Sequence, residues 1–106
     1  MLYSTTDNVQ GHEIAEYLGV VTGQAIYGAN VISDFFAGVR DIVGGRAGAY
    51  ESVLQEGAAQ AMGDMQKHAE GLGANAILGI SIDYEAVGKD TSMLMVAVTG
   101  TAVRIV

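Results

Sequence analysis

The sequence predicts an α+β domain with the element order β-β-α-α-β-β, in which helices pack on one face of an antiparallel sheet. Three observations lead to this prediction. Apolar residues alternate with other residues in the last third of the chain, which is typical of strands. Between residues 31 and 72, apolar residues recur at steps of three and four, as in amphipathic helices. The 106 residues fit one domain, residues 1–106.

The first two strands are predicted at residues 1–5 and 13–27, separated by a polar turn that includes Gly11. A straight strand over residues 13–27 would reach about 50 Å, which is long for a domain of this size. We therefore expect it to bend at Gly19 or Gly23, or to extend over a neighbouring copy. Its apolar residues lie on both faces, which indicates that both faces are covered somewhere along its length.

Two helices are predicted next, a short one over residues 31–43 and a long one over residues 48–72. Gly57 lies in the apolar stripe of the long helix and would allow close backbone approach, while Gly71 and Gly73 end that helix as caps. The full stripe comprises Tyr50, Leu54, Gly57, Ala61, Met65, His68 and Leu72, widened by Val53, Ala58, Met62 and Ala69.

Two further strands complete the predicted order. Residues 75–85 alternate in a way that indicates one buried face, formed by Ala76, Leu78, Ile80, Ile82 and Tyr84. A turn is predicted over residues 86–91. Residues 92–105 are apolar on both faces, so this last strand should be central in the sheet or lie in a subunit interface.

Composition excludes several functional classes. The chain has no cysteine, which excludes disulfides, thiolate metal sites and cysteine catalysis. Its net charge is −7 and its five basic residues are scattered, which argues against binding to nucleic acid or to an anionic membrane. The N-terminus lacks the features of a signal peptide, so we expect a cytoplasmic protein. Half of the residues are apolar, which favours a homo-oligomer.

The segment Gly44-Gly45-Arg46-Ala47-Gly48-Ala49 is the first candidate site. A glycine-rich turn at a helix N-terminus can present N–H groups and the Arg46 charge to an anion. The alternative is a tight turn between helices in which Arg46 pairs with an acidic side chain. The candidate ligand-binding residues are Gly44, Gly45, Arg46, Tyr50, Glu51, Asp34 and Asp41.

Two residue pairs are candidate metal ligands. Asp64 and His68 lie one helical turn apart, and Met93 and Met95 share one face of a strand, where thioethers could bind a soft metal. The alternatives are a solvated helical pair and methionines that pack in a core or an interface. The sequence does not identify the metal, and a divalent ion is one option.

Asp83 and Glu85 share a strand face and could act as a carboxylate pair in hydrolysis. The same pattern is more typical of the solvent side of an amphipathic strand. No nucleophile motif surrounds any Ser, His or Asp, so the sequence favours a protein that is not an enzyme.

Several short segments occur along nearly the whole chain in a characteristic order: Glu16-Tyr17-Leu18-Gly19, Val21-Thr22-Gly23, Gly28, Asn30, Asp34, Phe36-Ala37, Asp41-Ile42, Gly44-Gly45-Arg46, Gly48-Ala49-Tyr50-Glu51, Gly73-Ala74-Asn75-Ala76, Asp83-Tyr84, Ser92-Met93-Leu94-Met95 and Gly100-Thr101-Ala102. Together these segments resemble the YbjQ family. The chain departs from the family pattern at Ser33, where an arginine is usual, and at Ala47, where a serine is usual. The resemblance implies an α+β fold, a homopentameric ring and the family label of heavy-metal binding, with no established reaction.

The resulting expectation is a cytoplasmic homo-oligomer, a pentamer by the resemblance, that binds a metal or a small ligand without catalysis. Its ligand contacts would come from residues 44–51 and from subunit junctions. Two alternatives stay open: a structural or partner-binding module without a ligand, and an enzyme whose active site is shared between subunits.

Overall fold

Within residues 1–28, 45–87 and 93–106, which the computed structural model describes, four strands form one sheet and one long helix covers one of its faces. The elements are β1 (Leu2–Tyr3), β2 (Ile14–Tyr27), α1 (Gly45–Gly71), β3 (Ala76–Val87) and β4 (Met93–Ile105). The strand order is β1-β3-β4-β2. This confirms the α+β class, while the predicted helix over residues 31–43 lies outside the described residues.

The sheet is mixed, so the prediction of a purely antiparallel sheet was wrong for one pair. β1 runs parallel to β3, and backbone hydrogen bonds join Leu2 to Asn75 and Ser4 to Ile77. β2 and α1 separate these two strands along the chain, and a parallel pair requires such a long connection. The other two pairs are antiparallel, and β4 is central between β3 and β2, as its two apolar faces predicted.

Bulges bend the long strands. The register of β2 against β4 shifts between Tyr17 and Gly19, and Gly19 has φ of 135°, which confirms one of the two predicted bend positions. In β3 an extra residue is inserted between Leu78 and Ser81, with Gly79 at φ of 60°. Glycine adopts this left-handed conformation without steric cost, and such a bulge moves the following side chains to the other face.

The bulge in β3 overturns the prediction that this strand has one buried face. Ala76 and Leu78 pack on one side of the sheet, whereas Ile80 packs on the other side with the helix. Beyond the bulge, Ile82 and Tyr84 are 41% and 46% exposed. The strand also continues to Val87, into the segment predicted as a turn, whose residues 88–91 lie outside the described residues.

α1 begins at Gly45, so the segment predicted to be a glycine turn is helical from its second residue. The buried positions of α1 recur every fourth residue: Val53, Gly57, Ala61, Met65 and Ala69. His68 and Leu72, predicted as part of the stripe, are exposed, because the face of α1 that packs on the sheet contains Val53 and Ala69 instead.

Gly73 ends the helix, as predicted, whereas Gly71 is its last residue and not a cap. Gly73 has φ of 85°, its N–H donates to the Glu70 carbonyl, and the Ala74 N–H donates to the Ala69 carbonyl. This is the hydrogen-bond pattern of a Schellman motif, and Ala74 packs on the core, a contact that commonly accompanies this motif.

α1 lies very close to β2 and β4. A Cβ added at Gly23 would lie 1.9 Å from the Ala61 carbonyl oxygen, and one added at Gly57 would lie 2.7 Å from Val96 Cγ2. Gly23, predicted as a possible bend, is therefore needed for helix contact instead. The sequence-based role of Gly57 in close backbone approach is borne out by this contact.

The two ends of the sheet are packed differently. At the closed end (residues 14–19, 76–80, 100–105 and β1), a main core lies under α1 and a second cluster lies on the opposite face. The second cluster contains Ala76, Leu78, Val103, Leu2, Val9, Ile14 and Ile105. At the open end (residues 20–27, 81–87 and 93–99), the described residues form a buried core only on the helix side.

Candidate functional site

The open face, which we define as the face of the open end that points away from α1, carries two of the predicted candidate pairs. Leu94, Val96 and Val98 of β4 pack in the core under α1, so the intervening side chains of Met93, Met95, Ala97 and Thr99 point to the open face. The register then places β2 residues Val20, Thr22, Gln24 and Ile26, and β3 residues Ser81, Asp83, Glu85 and Val87, on this same face.

The register brings methionines and carboxylates together. Met95 lies between Ile26 of β2 and Glu85 of β3, and Met93 lies opposite Val87. Asp83 is opposite Ala97, on the diagonal from Met95, within reach of long side chains. The sequence predicts Met93 and Met95 as metal ligands and Asp83 and Glu85 as a catalytic pair, and the sheet places all four on one surface.

Burial on the open face decreases from the methionines outward. Met93 and Met95 are half-buried on the central strand, while Asp83 and Glu85 on β3 are exposed. Ile26, on the other side of Met95, is 54% exposed, and Val20 is 71% exposed. The face therefore combines exposed apolar groups with two carboxylates and two partly shielded thioethers.

Asp64 and His68 lie on the other side of the molecule, on exposed positions of α1. The Thr22 backbone N–H donates to His68 Nδ1 over 3.4 Å at the outer edge of β2, so this ring nitrogen already has a structural role. Across the part of the chain that the structure describes, no three His, Asp or Glu side chains form a group that could hold a metal ion.

The residues of the glycine-arginine segment are distributed along the start of α1. Gly45 and Arg46 lie in its first turn, Tyr50 follows one turn later, and Glu51 is exposed. Gly44, Asp34 and Asp41 lie outside the described residues. The proposed anion site at this segment therefore stays a prediction.

Two tyrosines link the helix to the sheet. The Tyr3 hydroxyl donates to Gln66 Oε1, and the Tyr27 hydroxyl donates to Gln60 Oε1 over 3.4 Å. Burial raises the pKa of both phenols above the ordinary value of 10.0; the Glu70 carboxylate adds to this for Tyr3, and the Glu56 carboxylate adds to it for Tyr27. Each phenol donates a hydrogen bond to a glutamine of α1.

Asn75 is a structural residue whose role the sequence did not reveal. Its Nδ2 donates to the Ile105 carbonyl over 2.9 Å, and the Ile105 N–H donates to its Oδ1 over 2.7 Å. Its backbone carbonyl also accepts from Leu2. Asn75 lies in the segment Gly73-Ala74-Asn75-Ala76, so part of that segment is explained by the joining of β1 and β4 to the helix C-terminus.

A family model described as "Putative heavy-metal-binding" matches residues 1–106. Among solved structures, the chain resembles a protein of unknown function from Pediococcus pentosaceus that belongs to the DUF74 family. The two chains are 18% identical with a TM-score of 0.68, over 100% of this chain and 98% of the other. At this identity the likeness supports the fold alone. In the described ranges, no helix has the length and apolar character needed to cross a membrane.

Proposed function

The chain belongs to the YbjQ family, and from this premise we propose that it is a non-catalytic, homo-oligomeric binding protein. In this proposal copies of the chain, five by the family resemblance, cover one another's open ends. A metal ion or a small ligand then binds at the junctions. A cytoplasmic location stays a prediction from the N-terminal sequence.

The observation that carries the proposal is the exposure of apolar side chains on both faces of the open end. On the open face these are Val20 and Ile26, and on the helix side they are Ile82 and Tyr84, which α1 does not cover. On the open face, Ile26 is next to Met95 and Met93 is next to Val87, and a continuous apolar surface of this kind marks an interaction site on soluble proteins. The exposed apolar side chains lie on the same strands as the buried core. An assembly that covers them would therefore continue this core across the subunit boundary.

The strand edges support the same conclusion. β2 is an outer strand of the sheet, and within the described chain β1 pairs only with the first residues of β3. β2 contains no proline or lysine, and its only charged residue is Glu16, so it lacks the usual protection against edge pairing. Pairing with a strand of another copy would give hydrogen-bond partners to the backbone N–H and C=O groups along this edge.

Metal binding is favoured over a purely structural module by the donor groups on the open face. Two thioethers and two carboxylates lie together at the centre and on one side of this face. A catalytic role for Asp83 and Glu85 has less support, because both carboxylates are exposed.

The test is native mass spectrometry of the purified protein combined with elemental analysis. We expect an oligomer that carries bound metal or a bound small molecule. Val20→Asp and Ile26→Asp should shift it to smaller species, because a charge would be buried in the junction. Val106→Asp is the matched control, since Val106 is as exposed as Val20, at 71%, but lies at the C-terminus outside the open end.

Three outcomes contradict this proposal. A wild-type chain that remains a stable single subunit at micromolar concentration contradicts the assembly. An oligomer that binds no ligand and no added metal supports the structural module instead. Turnover in a substrate screen that is lost in Asp83→Asn would indicate the enzyme alternative.

A further inference from the structure

We infer that Met93 and Met95, together with the carboxylate of Glu85, form a binding site for a soft monovalent metal ion such as Cu(I) or Ag(I). The inference deepens the proposed function, on which it rests for the assignment of ligand binding to the open face. It adds the binding residues and the chemical class of the ion.

The placement of the two methionines supports a shared ion. They are two residues apart on β4 and point to the same face, so their Cα atoms are about 7 Å apart. A methionine side chain has three rotatable bonds, which allows two sulfurs at this spacing to reach one ion. Both side chains are half-buried, so they remain accessible from the open face.

The donor set selects the class of metal. Thioether sulfur is a soft ligand that binds Cu(I) well, whereas Mg²⁺ and Ca²⁺ require several oxygen ligands. Of the described carboxylates on this face, only Glu85 is directly opposite a methionine, and Asp83 lies one row away. One thioether pair with one carboxylate fits a soft ion of low coordination number better than a hard divalent ion.

The surroundings also favour a cation. Ile26 is opposite Met95 and Val87 is opposite Met93, so an apolar side chain lies next to each methionine across the sheet. Among the described charged residues of the open face, Asp83 and Glu85 are both acidic, while Arg104 pairs with Glu16 over 3.0 Å at the closed end. The local field is therefore negative and attracts a cation.

The test is a titration of the purified wild-type protein with Ag(I) in chloride-free buffer, followed by native mass spectrometry and calorimetry. We expect saturable binding that becomes at least about tenfold weaker in Met93→Leu and Met95→Leu, which equals a loss of about 1.4 kcal/mol. Leucine conserves volume, so both variants should remain folded. Glu85→Gln should also weaken binding, because it removes the charge and keeps the shape.

Met62→Leu and His68→Ala are the matched controls. Met62 is also half-buried, but it lies on α1 on the other side of the sheet, and His68 is the other candidate ligand. Neither change should alter the affinity for Ag(I). Binding that is unchanged in the double variant Met93→Leu/Met95→Leu overturns the inference, and loss of binding in His68→Ala would assign the ion to α1.

Methyl NMR of the wild-type protein gives a readout that does not depend on any variant. The chain has five methionines, at positions 1, 62, 65, 93 and 95. Ag(I) should shift the methyl signals of Met93 and Met95 and leave those of Met62 and Met65 in place. A titration with Zn(II) should produce no such shift.

The same spectra separate this inference from the proposed function. An oligomer whose Met93 and Met95 signals do not respond to Ag(I) overturns the metal site and leaves the assembly standing. A monomer that binds Ag(I) through these two methionines overturns the assembly and leaves the site standing.

Discussion

The closed end and the open end belong to the same three long strands, but they are stabilised in different ways. At the closed end, residues 1–13 cover the face opposite α1, and a second cluster around Leu78 and Val103 is buried there. At the open end, the described residues bury only the helix side, and Ile26 and Val20 of the opposite face are exposed. At the closed end, a single chain therefore buries apolar side chains on both faces of the sheet.

Under the proposed function, one end of the sheet stabilises the fold and the other end binds. Two packed layers on the closed end hold the register of β3 and β4 through the bulge at Gly79. That register then determines which side chains meet on the open face, where packing imposes less constraint on their identity. This division can be tested by substitutions at both ends, first at the contact between β2 and α1.

The largest effect is expected from Gly23→Ala, at the contact between the open end and α1. The new Cβ would lie 1.9 Å from the Ala61 carbonyl oxygen and 2.7 Å from the Met65 nitrogen, and both are backbone atoms that no rotamer change can move. Because α1 must shift away from β2, we expect a loss of about 3 kcal/mol or more in the free energy of unfolding. Urea denaturation measures it.

Gly63→Ala is the control for this substitution. Gly63 lies in α1, and a Cβ there would have nothing within 4 Å. Alanine favours the helix over glycine by about 1 kcal/mol, so this variant should be more stable than the wild type. Equal effects of the two substitutions would contradict the close contact between α1 and β2.

The second prediction compares a buried residue of the closed end with an exposed residue of the open end. Leu78 is 2% exposed in the second cluster, and Leu78→Ala should reduce the free energy of unfolding by about 2–5 kcal/mol. Ile26 is 54% exposed, so Ile26→Ala should cost the single chain about 1 kcal/mol or less.

The dependence on protein concentration makes the comparison sharper. If copies cover the open face, the effect of Ile26→Ala should grow with protein concentration, while that of Leu78→Ala should not. The measurement is urea unfolding over a hundredfold range of concentration. A concentration-independent effect at Ile26 would indicate that the open face is not used in assembly.

Much of the fold could be predicted from the sequence, because periodicity reports which residues are buried. The long strand before residue 28, the long helix and a central last strand all followed from apolar spacing. The parallel direction of β1 did not, because a strand of two residues carries no periodic signal. The two-sided burial of β3 was also missed, since a single inserted residue at Gly79 inverts the alternation on which the prediction relied.

The third prediction concerns the hydrogen bonds at the closed end. Asn75→Ala removes both bonds to the Ile105 backbone, and we expect a loss of about 1–2 kcal/mol. The Ile105 amide should also exchange faster with deuterium. Asn75→Asp should have a smaller effect because it keeps the acceptor for the Ile105 N–H. Unchanged exchange at Ile105 in Asn75→Ala would contradict this role.

The candidate site was predictable only in part. Sequence patterns identified Met93 with Met95, and Asp83 with Glu85, as pairs that share a strand face. That the two pairs face each other depends on the pairing of Glu85 with Met95, which is a property of strand register. Register depends on bulges as well as on the apolar pattern, and the residue inserted between Leu78 and Ser81 has no signal in the spacing of apolar residues.

The smallest expected effect is on the free energy of unfolding at alkaline pH. It distinguishes Tyr27 at the open end from Tyr3 at the closed end. The pKa of both Tyr3 and Tyr27 is raised by burial above 10.0, the value expected in the unfolded chain. The folded state therefore binds the phenol protons more tightly, so stability is unaffected at neutral pH and falls as the pH rises through 10 toward the folded pKa.

Tyr27 at the open end is 8% exposed and Tyr3 at the closed end is 39% exposed. Because the desolvation of a phenolate is more costly where less water remains, Tyr27→Phe should reduce the alkaline slope of stability more than Tyr3→Phe does. Urea unfolding between pH 8 and about 11 measures both slopes. The reverse order would mean that Glu70 beside Tyr3, rather than burial, dominates the alkaline response.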